Sequence, residues 1–584
     1  MEMKYHRRIL VEKDVPCRMR DGITLCSDIY RPDEEGRFPV LLIRTPYDKE
    51  DIAFPMEVHL SPFRAARRGY VVIVQDVRGR FSSEGKFNPF FNEAQDGYDS
   101  VQWAARLSCS NGKVGMWGSS YPGLTQLAAA VSKPRELLAI SPAITGSNLF
   151  DGFTYQGGAF SLAFNILWSI NLASNELARL NLDEEEKIAV SDDLAKSYDN
   201  LERTCSPSAP PAIEIFSKHR LARYFYDWTE HPTYDEFWKQ VDHERHYKEL
   251  DIAALHVAGW YDMFLKGTLR NYVGLRRRDA TGKRSRNQKL VIGPWFHELY
   301  LTNVIGSWNA GFHSQGAAIG LESVEFRWFD HWLKGDENGI TDEPSVLLYV
   351  MGANRWRAAS DWPLPRTRYT RFYFHSEGNA NTLSGDGTLG IELPLEEPPD
   401  AYVYSPENPV PTLGGGTASS AHPGLCPGVF DQRALEMRED VLVYTSDALD
   451  RAIEVTGPVH IRLWASSSAV DTDFTGKLVD VHPDGYARNL CDGIIRARFR
   501  ESLEKPNLLE PGRTYEFDID LVATSNLFRK GHKIRVEVSS SNFPRFDRNT
   551  NTGHWENSWK AAKRAQQTVH HQASRPSHVI LPIV

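Results

Sequence analysis

Residues 113–123 read Lys-Val-Gly-Met-Trp-Gly-Ser-Ser-Tyr-Pro-Gly. An apolar strand ends at Gly118, one residue separates it from Ser120, and a helix begins immediately after. A sharp strand-to-helix turn of this kind resembles a nucleophile elbow, which raises a serine oxygen above the sheet, although the spacing alone also fits a purely structural turn. Gly118 and Gly123 remove side chains where the backbone approaches closely, and Pro122 falls in the first helical turn, where its missing N–H costs little. The spacing departs from the common form, because Pro122 stands where glycine is usual and Gly123 comes one residue later. Ser119 is a rival, but the residue two before it is Trp117, a poor fit to a tight turn.

Outward from the elbow, short apolar runs occupy 38–45, 70–75, 113–117, 137–142, 254–259 and 289–293, with helical patterns at 63–68, 93–107 and 123–132 between them. Strands buried on both faces and alternating with helices predict a parallel sheet in an α/β layer fold. From about 148 to 240 apolar residues sit among helix formers and no strand signal interrupts them, which predicts a helical insertion. The sheet pattern resumes near Leu250 and ends with a helix over 323–334. After Gly335 short alternating segments such as 369–375, 441–444, 460–465, 475–481 and 533–539 are punctuated by Gly, Pro and Asp clusters. That texture predicts a β-sandwich. The expected division is a first sheet segment over 1–147, a helical cap over 148–240, a second sheet segment over 241–345 and a β-sandwich over 346–584.

Of 584 residues, 41% are hydrophobic and 24% charged, a globular composition, and the net charge is −9. The notable basic cluster is short, 276–286, so nucleic acid and anionic membranes are not expected partners. Apolar runs such as Val71-Val-Ile-Val74 are far shorter than the ~18 residues of a membrane span. The stretch Met1–His6 has no signal-peptide character, and six scattered cysteines without a CxxC pair read as free thiols. A cytoplasmic location is the resulting expectation. No metal site is expected: His243-Glu-Arg-His246 is not an HExxH pattern, and His570-His571 has no carboxylate partner nearby. No cofactor is expected either.

An elbow serine needs a base and an orienting acid, which in this kind of fold follow in the order Asp or Glu, then His. Leu255-His-Val-Ala-Gly-Trp-Tyr-Asp262 is a strand running into Asp262, and Leu290-Val-Ile-Gly-Pro-Trp-Phe-His297 is a strand running into His297. Catalytic groups are expected beyond the carboxyl ends of parallel strands. Taken singly, Asp262 could instead cap a helix and His297 could be an ordinary loop histidine.

Gly118-Ser-Ser-Tyr-Pro-Gly123, Gly259-Trp-Tyr-Asp262 and Gly293-Pro-Trp-Phe-His297 resemble motifs of the cocaine esterase/X-prolyl dipeptidyl peptidase family of serine hydrolases. So do Arg44-Thr-Pro-Tyr47, Asp76-Val-Arg-Gly-Arg-Phe-Ser-Ser-Glu-Gly85 and, in the β-rich part, Ser541-Asn-Phe-Pro-Arg-Phe-Asp-Arg-Asn549. The resemblance implies an α/β-hydrolase domain with an inserted helical cap and a C-terminal jelly roll. It implies Ser120 as nucleophile, Asp262 as acid and His297 as general base. It further implies an oxyanion hole made by the Tyr47 hydroxyl and the backbone N–H of Tyr121; a phenol, neutral at pH 7, is a competent donor.

The expected substrate is a small-molecule ester or amide. Tyr155, Trp168 and Phe264 are expected to line an acyl pocket, with Trp260 and Trp295 beside the catalytic residues. Arg78, Ser83 and Glu84 are expected to hold a loop. The run Met263-Phe264-Leu265 after Asp262 offers no carboxylate to a substrate ammonium, which favours uncharged acyl groups. X-prolyl peptidase, β-lactam-type acylase or α-amino acid ester hydrolase, and an inactive hydrolase-like binding protein remain open alternatives, as does a homo-oligomer.

Overall fold

A computed structural model describes residues 8–51, 60–205, 212–276, 287–297, 302–417, 425–554 and 561–584. Apart from Arg276, the basic cluster at 276–286 lies outside the described residues. Each apolar run identified in the first 300 residues forms a strand of one ten-stranded sheet. The order is Ile9–Arg18, Thr24–Pro32, Val71–Asp76, Phe38–Thr45, Ser110–Ser119, Leu137–Ala143, Ala253–Gly259, Gln288–Gly293, Val346–Val350 and Arg355–Ala359. From Val71–Asp76 through Val346–Val350 the strands are parallel, and antiparallel strands close both edges. The parallel strands are almost wholly buried because helices cover both faces. This is the α/β-hydrolase architecture, followed by a C-terminal β-rich domain.

Two expectations about layout are corrected. Strands Val346–Val350 and Arg355–Ala359 belong to the first sheet, not to the β-rich domain, so the boundary moves from 345/346 to about 360. Val346–Val350 is short and apolar, and only its pairing with Gln288–Gly293 assigns it to one sheet or the other. The insertion is also not free of strand, since Tyr155–Gln156 and Ala159–Phe160 form a small hairpin. After it come the helices Leu162–Glu176, Glu184–Asp199, Arg223–Glu230 and shorter turns. They enclose an aromatic core continuous with the elbow helix.

The β-rich domain is built on long antiparallel strands, notably Ile453–Ser467 against Tyr515–Phe528 and Asp473–Val481 against Ala487–Arg496. It packs on both other parts. Lys266, on the helix Leu265–Arg276, pairs with Asp151 of the insertion at 2.9 Å and with Asp520 of the β-rich domain at 3.1 Å. Arg270 adds a second bond to Asp151 at 2.9 Å.

His571 has carboxylate partners after all. Nδ1 lies 3.0 Å from Glu397 and Nε2 3.0 Å from Asp400, far apart in sequence but joined by the strand order. Asp400 also accepts from Ser376 Oγ and Tyr444 OH, each at 2.7 Å. Burial opposes charge on His571, but Asp400 and Glu397 outweigh it and raise its pKa above the usual 6.5. Burial likewise opposes charge on Asp400, yet its hydrogen bonds, His571 first, hold it below 3.8. The imidazolium therefore contributes stability in full below about pH 6.5, lost as pH rises through the raised value; the Asp400 part is lost as pH falls below about 4. The expected outcome is a larger drop in thermal midpoint for His571→Asn at pH 6 than at pH 9. An equal drop at both pH values would refute the charged pair.

Candidate active site

The turn at Ser120 adopts φ 61° and ψ −124°, outside the range an L-residue favours. A Cβ on Gly118 would meet Pro122 Cβ at 2.6 Å, and one on Gly123 would meet Thr145 Cβ at 2.8 Å, so both positions need glycine. Neighbouring groups hold the turn. Ser120 N donates to Ala143 O at 2.9 Å, and Thr145 Oγ1 donates to Ser120 O at 2.8 Å. Gln126 Nε2 donates to Gly118 O at 3.0 Å while its Oε1 accepts from Ser141 N at 2.9 Å. Ser119 is wholly buried at the end of its strand.

Three strand ends converge here. His297 Nε2 lies 3.0 Å from Ser120 Oγ, and His297 Nδ1 lies 2.9 Å from Asp262 Oδ1. With Nδ1 donating to the carboxylate, Nε2 presents its lone pair to the serine hydroxyl. All three side chains are less than a tenth exposed, so their mutual hydrogen bonds act in a medium of low dielectric. The Tyr121 N–H opens the helix Tyr121–Val131, where first-turn donors lack intrahelical acceptors. The Tyr121 side chain points elsewhere: its hydroxyl donates to Glu93 at 2.8 Å and accepts from Phe90 N at 3.0 Å. Glu93 is in turn paired at 2.6 Å with Arg44, itself wholly buried under the elbow helix.

Tyr47 follows the strand Phe38–Thr45, next in the sheet to the nucleophile strand. Its hydroxyl accepts from the indole N–H of Trp168 at 3.0 Å. Its loop is fixed on both sides by residues that sequence reasoning gave no role. Arg80 Nε donates to Pro46 O at 2.9 Å, and Asp76 Oδ1 accepts from Lys49 N at 2.8 Å. Arg80 also donates to Leu172 O and lies 3.5 Å from Glu176, tying this loop to the cap helix. Burial pushes the Asp76 carboxyl up to about 7, against the amides of Lys49 and Ser82 and the Lys49 ammonium. Both residues sit in the Asp76–Gly85 motif, which was the only signal available. Arg78, Ser83 and Glu84 hold that loop, through Asp96, Asp76 O and Thr24 N respectively.

Of the expected pocket residues, two adjoin the site. Phe264 stacks on Phe153 at 4.4 Å and sets its ring 5.3 Å from that of His297. Trp168 stacks on Trp228 at 5.7 Å besides reaching Tyr47. Tyr155 is corrected to a core residue: its hydroxyl donates to Trp228 O and its ring packs between Phe150, Phe160 and Trp238. Trp260 and Trp295 are corrected too, since their indoles donate to Tyr349 O and Ser314 O and anchor the loops from behind. Two acidic residues of the insertion are already engaged. Asp151 is held well below the carboxylate range despite burial by Lys266 and Arg270, and Glu176 faces Arg80.

Comparison with known proteins places the chain in a family. Residues 21–298 match the X-Pro dipeptidyl-peptidase (S15 family) profile, and residues 338–580 match the X-Pro dipeptidyl-peptidase C-terminal non-catalytic domain. The chain is 40% identical to a cocaine esterase of Rhodococcus sp. (strain MB1 Bresler) over 98% of each chain. Among solved structures, an aminopeptidase from a marine sediment Thaumarchaeota archaeon superimposes with TM-score 0.82 at 26% identity, covering 100% of this chain and 98% of that one. An α-amino acid ester hydrolase superimposes with TM-score 0.80 at 25% identity, covering 99% and 97%.

Proposed function

This chain belongs to the S15 family and is an ester-cleaving serine hydrolase, and from that premise we propose that Ser120, His297 and Asp262 are its catalytic triad and that catalysis passes through an acyl-enzyme. The observation that carries the reading is the unbroken chain of hydrogen bonds from Ser120 Oγ through His297 to Asp262, at 3.0 and 2.9 Å. Ser120 Oγ attacks the ester carbonyl carbon while its proton passes to His297 Nε2. The carbonyl oxygen becomes an oxyanion, which accepts from the Tyr47 hydroxyl and the Tyr121 N–H. His297 then returns the proton to the departing alkoxide. Water, deprotonated by the same imidazole, attacks the acyl-enzyme and frees the acid. Asp262 fixes the tautomer and stabilises the imidazolium throughout. We read the β-rich part as a jelly roll and the compartment as cytoplasmic. Among the described residues no helix is long and apolar enough to cross a membrane.

The walls beside the triad favour uncharged acyl groups. Phe264, Phe153 and Phe164 pack together next to His297, and Asp151 and Glu176 are committed to Lys266, Arg270 and Arg80. Peptidase and α-amino acyl readings both require a carboxylate for a substrate ammonium, and these two are spent elsewhere.

Ser120→Ala is expected to abolish hydrolysis, with a loss on the order of 10⁶ in kcat, and to abolish labelling by a fluorophosphonate probe while the fold is retained. Persistent labelling would move the nucleophile to Ser119. Tyr47→Phe is expected to lower kcat by roughly 10²–10³ with little change in KM, because the lost donor acts on the developing oxyanion. A change confined to KM would make Tyr47 a binding residue. Finally, kcat/KM for a phenylacetyl ester is expected to exceed that of the matched phenylglycyl ester. Desolvating an ammonium costs several kcal/mol without a partner, and about 2.7 kcal/mol already gives a hundredfold ratio. An advantage for the phenylglycyl ester at a pH where its amine is protonated would overturn the assignment.

A further inference from the structure

Two turns meet at one end of the β-rich domain. One leads from the strand Asp473–Val481 to Ala487–Arg496, the other from Tyr515–Phe528 to Lys533–Ser539. Asp473–Val481 and Lys533–Ser539 pair antiparallel, with Asp480 opposite Ile534 and Val481 opposite Lys533. One further step in that register brings His482 opposite His532, and side-chain alternation puts Asp480 on the same face as His482. The contacts agree. Asp480 Oδ1 lies 2.7 Å from His532 Nδ1, and the two imidazole centroids are 4.5 Å apart. Each of the three side chains offers a ligating atom within 4.8 Å of the others.

The surroundings hold this trio in place. Asp480 is buried, and His482 and His532 are partly buried. Asn526 Nδ2 donates to Asp480 Oδ2 at 3.1 Å, leaving Oδ1 to face the histidines. His482 N donates to Tyr486 O at 2.9 Å and His532 N to Arg529 O at 3.0 Å, so both turns are internally closed. Arg488, the strand partner of Asp480, sets its guanidinium 3.8 Å over the Trp308 ring. A hydrogen bond between Asp480 and His532 accounts for that pair alone. It gives no reason for a second imidazole to be brought to 4.5 Å from the first, with the rings tilted by 37°.

We propose that Asp480, His482 and His532 form a binding site for a divalent transition cation of the Zn²⁺ class. Two imidazole nitrogens and one carboxylate oxygen suit Zn²⁺ better than Mg²⁺ or Ca²⁺, which prefer oxygen donors. With Zn–ligand bonds of about 2.0–2.2 Å in a tetrahedron, ligand atoms sit about 3.3 Å apart. The Asp480–His532 contact therefore opens slightly and His482 draws in as the ion binds, with water in the fourth position. Asn526 is the supporting residue that orients the carboxylate. Its neighbours Ser525 and Leu527 pair with Met351 at 2.9 and 2.8 Å, directly after the hydrolase strand Val346–Val350. The ion thus clips two turns at the seam between hydrolase and β-rich domains. By contrast Asp14, Asp28 and Glu50, also close together, already surround the ammonium groups of Lys13 and Lys49.

The test uses the full-length chain, stripped with a chelator and dialysed, then titrated with Zn²⁺ by calorimetry and with Co²⁺ by visible absorption. One saturable equivalent per chain is expected, with the intense visible bands of tetrahedral Co²⁺ and a higher thermal midpoint in Zn²⁺ but not in Mg²⁺ or Ca²⁺. His482→Gln and His532→Gln should each weaken Zn²⁺ binding at least about tenfold to hundredfold, while ester kcat/KM stays at the wild-type level. His482 is half-exposed, so His482→Gln keeps the test decisive if His532→Gln fails to fold. Absence of a saturable site, or equal binding by wild type and His482→Gln, would overturn the proposal.

Discussion

The backbone of Ser120 is held where an L-residue does not rest, at a cost of about 1–3 kcal/mol. Much of the surrounding structure serves that one constraint. The adjoining strand supplies Ala143 O at its end and the turn just beyond it supplies Thr145 Oγ1, while Gln126 bridges Gly118 to Ser141. Each such bond contributes about 1 kcal/mol net, so together they offset the strain. Below the helix, the Arg44–Glu93–Tyr121 network keeps its charged members paired out of water. Removing one member of such a buried pair leaves an uncompensated charge under the elbow helix.

A second constraint joins the three parts of the chain. The helix that begins just after Asp262 carries Lys266, whose ammonium binds one carboxylate from the insertion and one from the β-rich domain. The acid of the proposed triad is thus set by groups outside the hydrolase sheet, and Gly416 of the β-rich domain lies against the backbone of Asp262 itself. Buried ion clusters are weak evidence for stability but good devices for geometry. The same cluster has a consequence for substrate choice, because Asp151 cannot serve this junction and also receive a substrate ammonium.

What could be read from the sequence divides along local and non-local lines. The sheet strands were legible because burial on both faces leaves continuous apolar runs, and Ser120, Asp262 and His297 because each lies at the end of one. Val346–Val350 was misassigned because its sheet is decided by its partner strand, not by its own residues. The Tyr155–Phe160 hairpin is too short to leave a periodic signal. Tyr155 looked like pocket and is core, since an aromatic in a cap reads the same in either place until its hydroxyl partner, Trp228 O, is known. His571 with Glu397 and Asp400, and His482 with His532, escaped notice for one reason. Each cluster is assembled by strand pairing between segments that sequence spacing does not connect.

The bond between Trp168 and Tyr47 bears on how acyl recognition and catalysis are related. Trp168 belongs to the cap and packs in the aromatic wall, whereas Tyr47 belongs to the loop after a sheet strand and is the proposed oxyanion donor. A phenol that accepts a hydrogen bond becomes a stronger donor, because chained hydrogen bonds polarise one another in a low-dielectric interior. The indole therefore orients the Tyr47 hydroxyl and strengthens it at the moment negative charge develops. Arg80 fastens the same loop to the same cap helix through Pro46 O and Leu172 O. On the proposed assignment, an acyl group that displaces the cap wall also displaces the oxyanion donor, so poor fit is felt in the transition state more than in the ground state. Discrimination of that kind appears in kcat, which is where binding energy spent on selectivity is most effective.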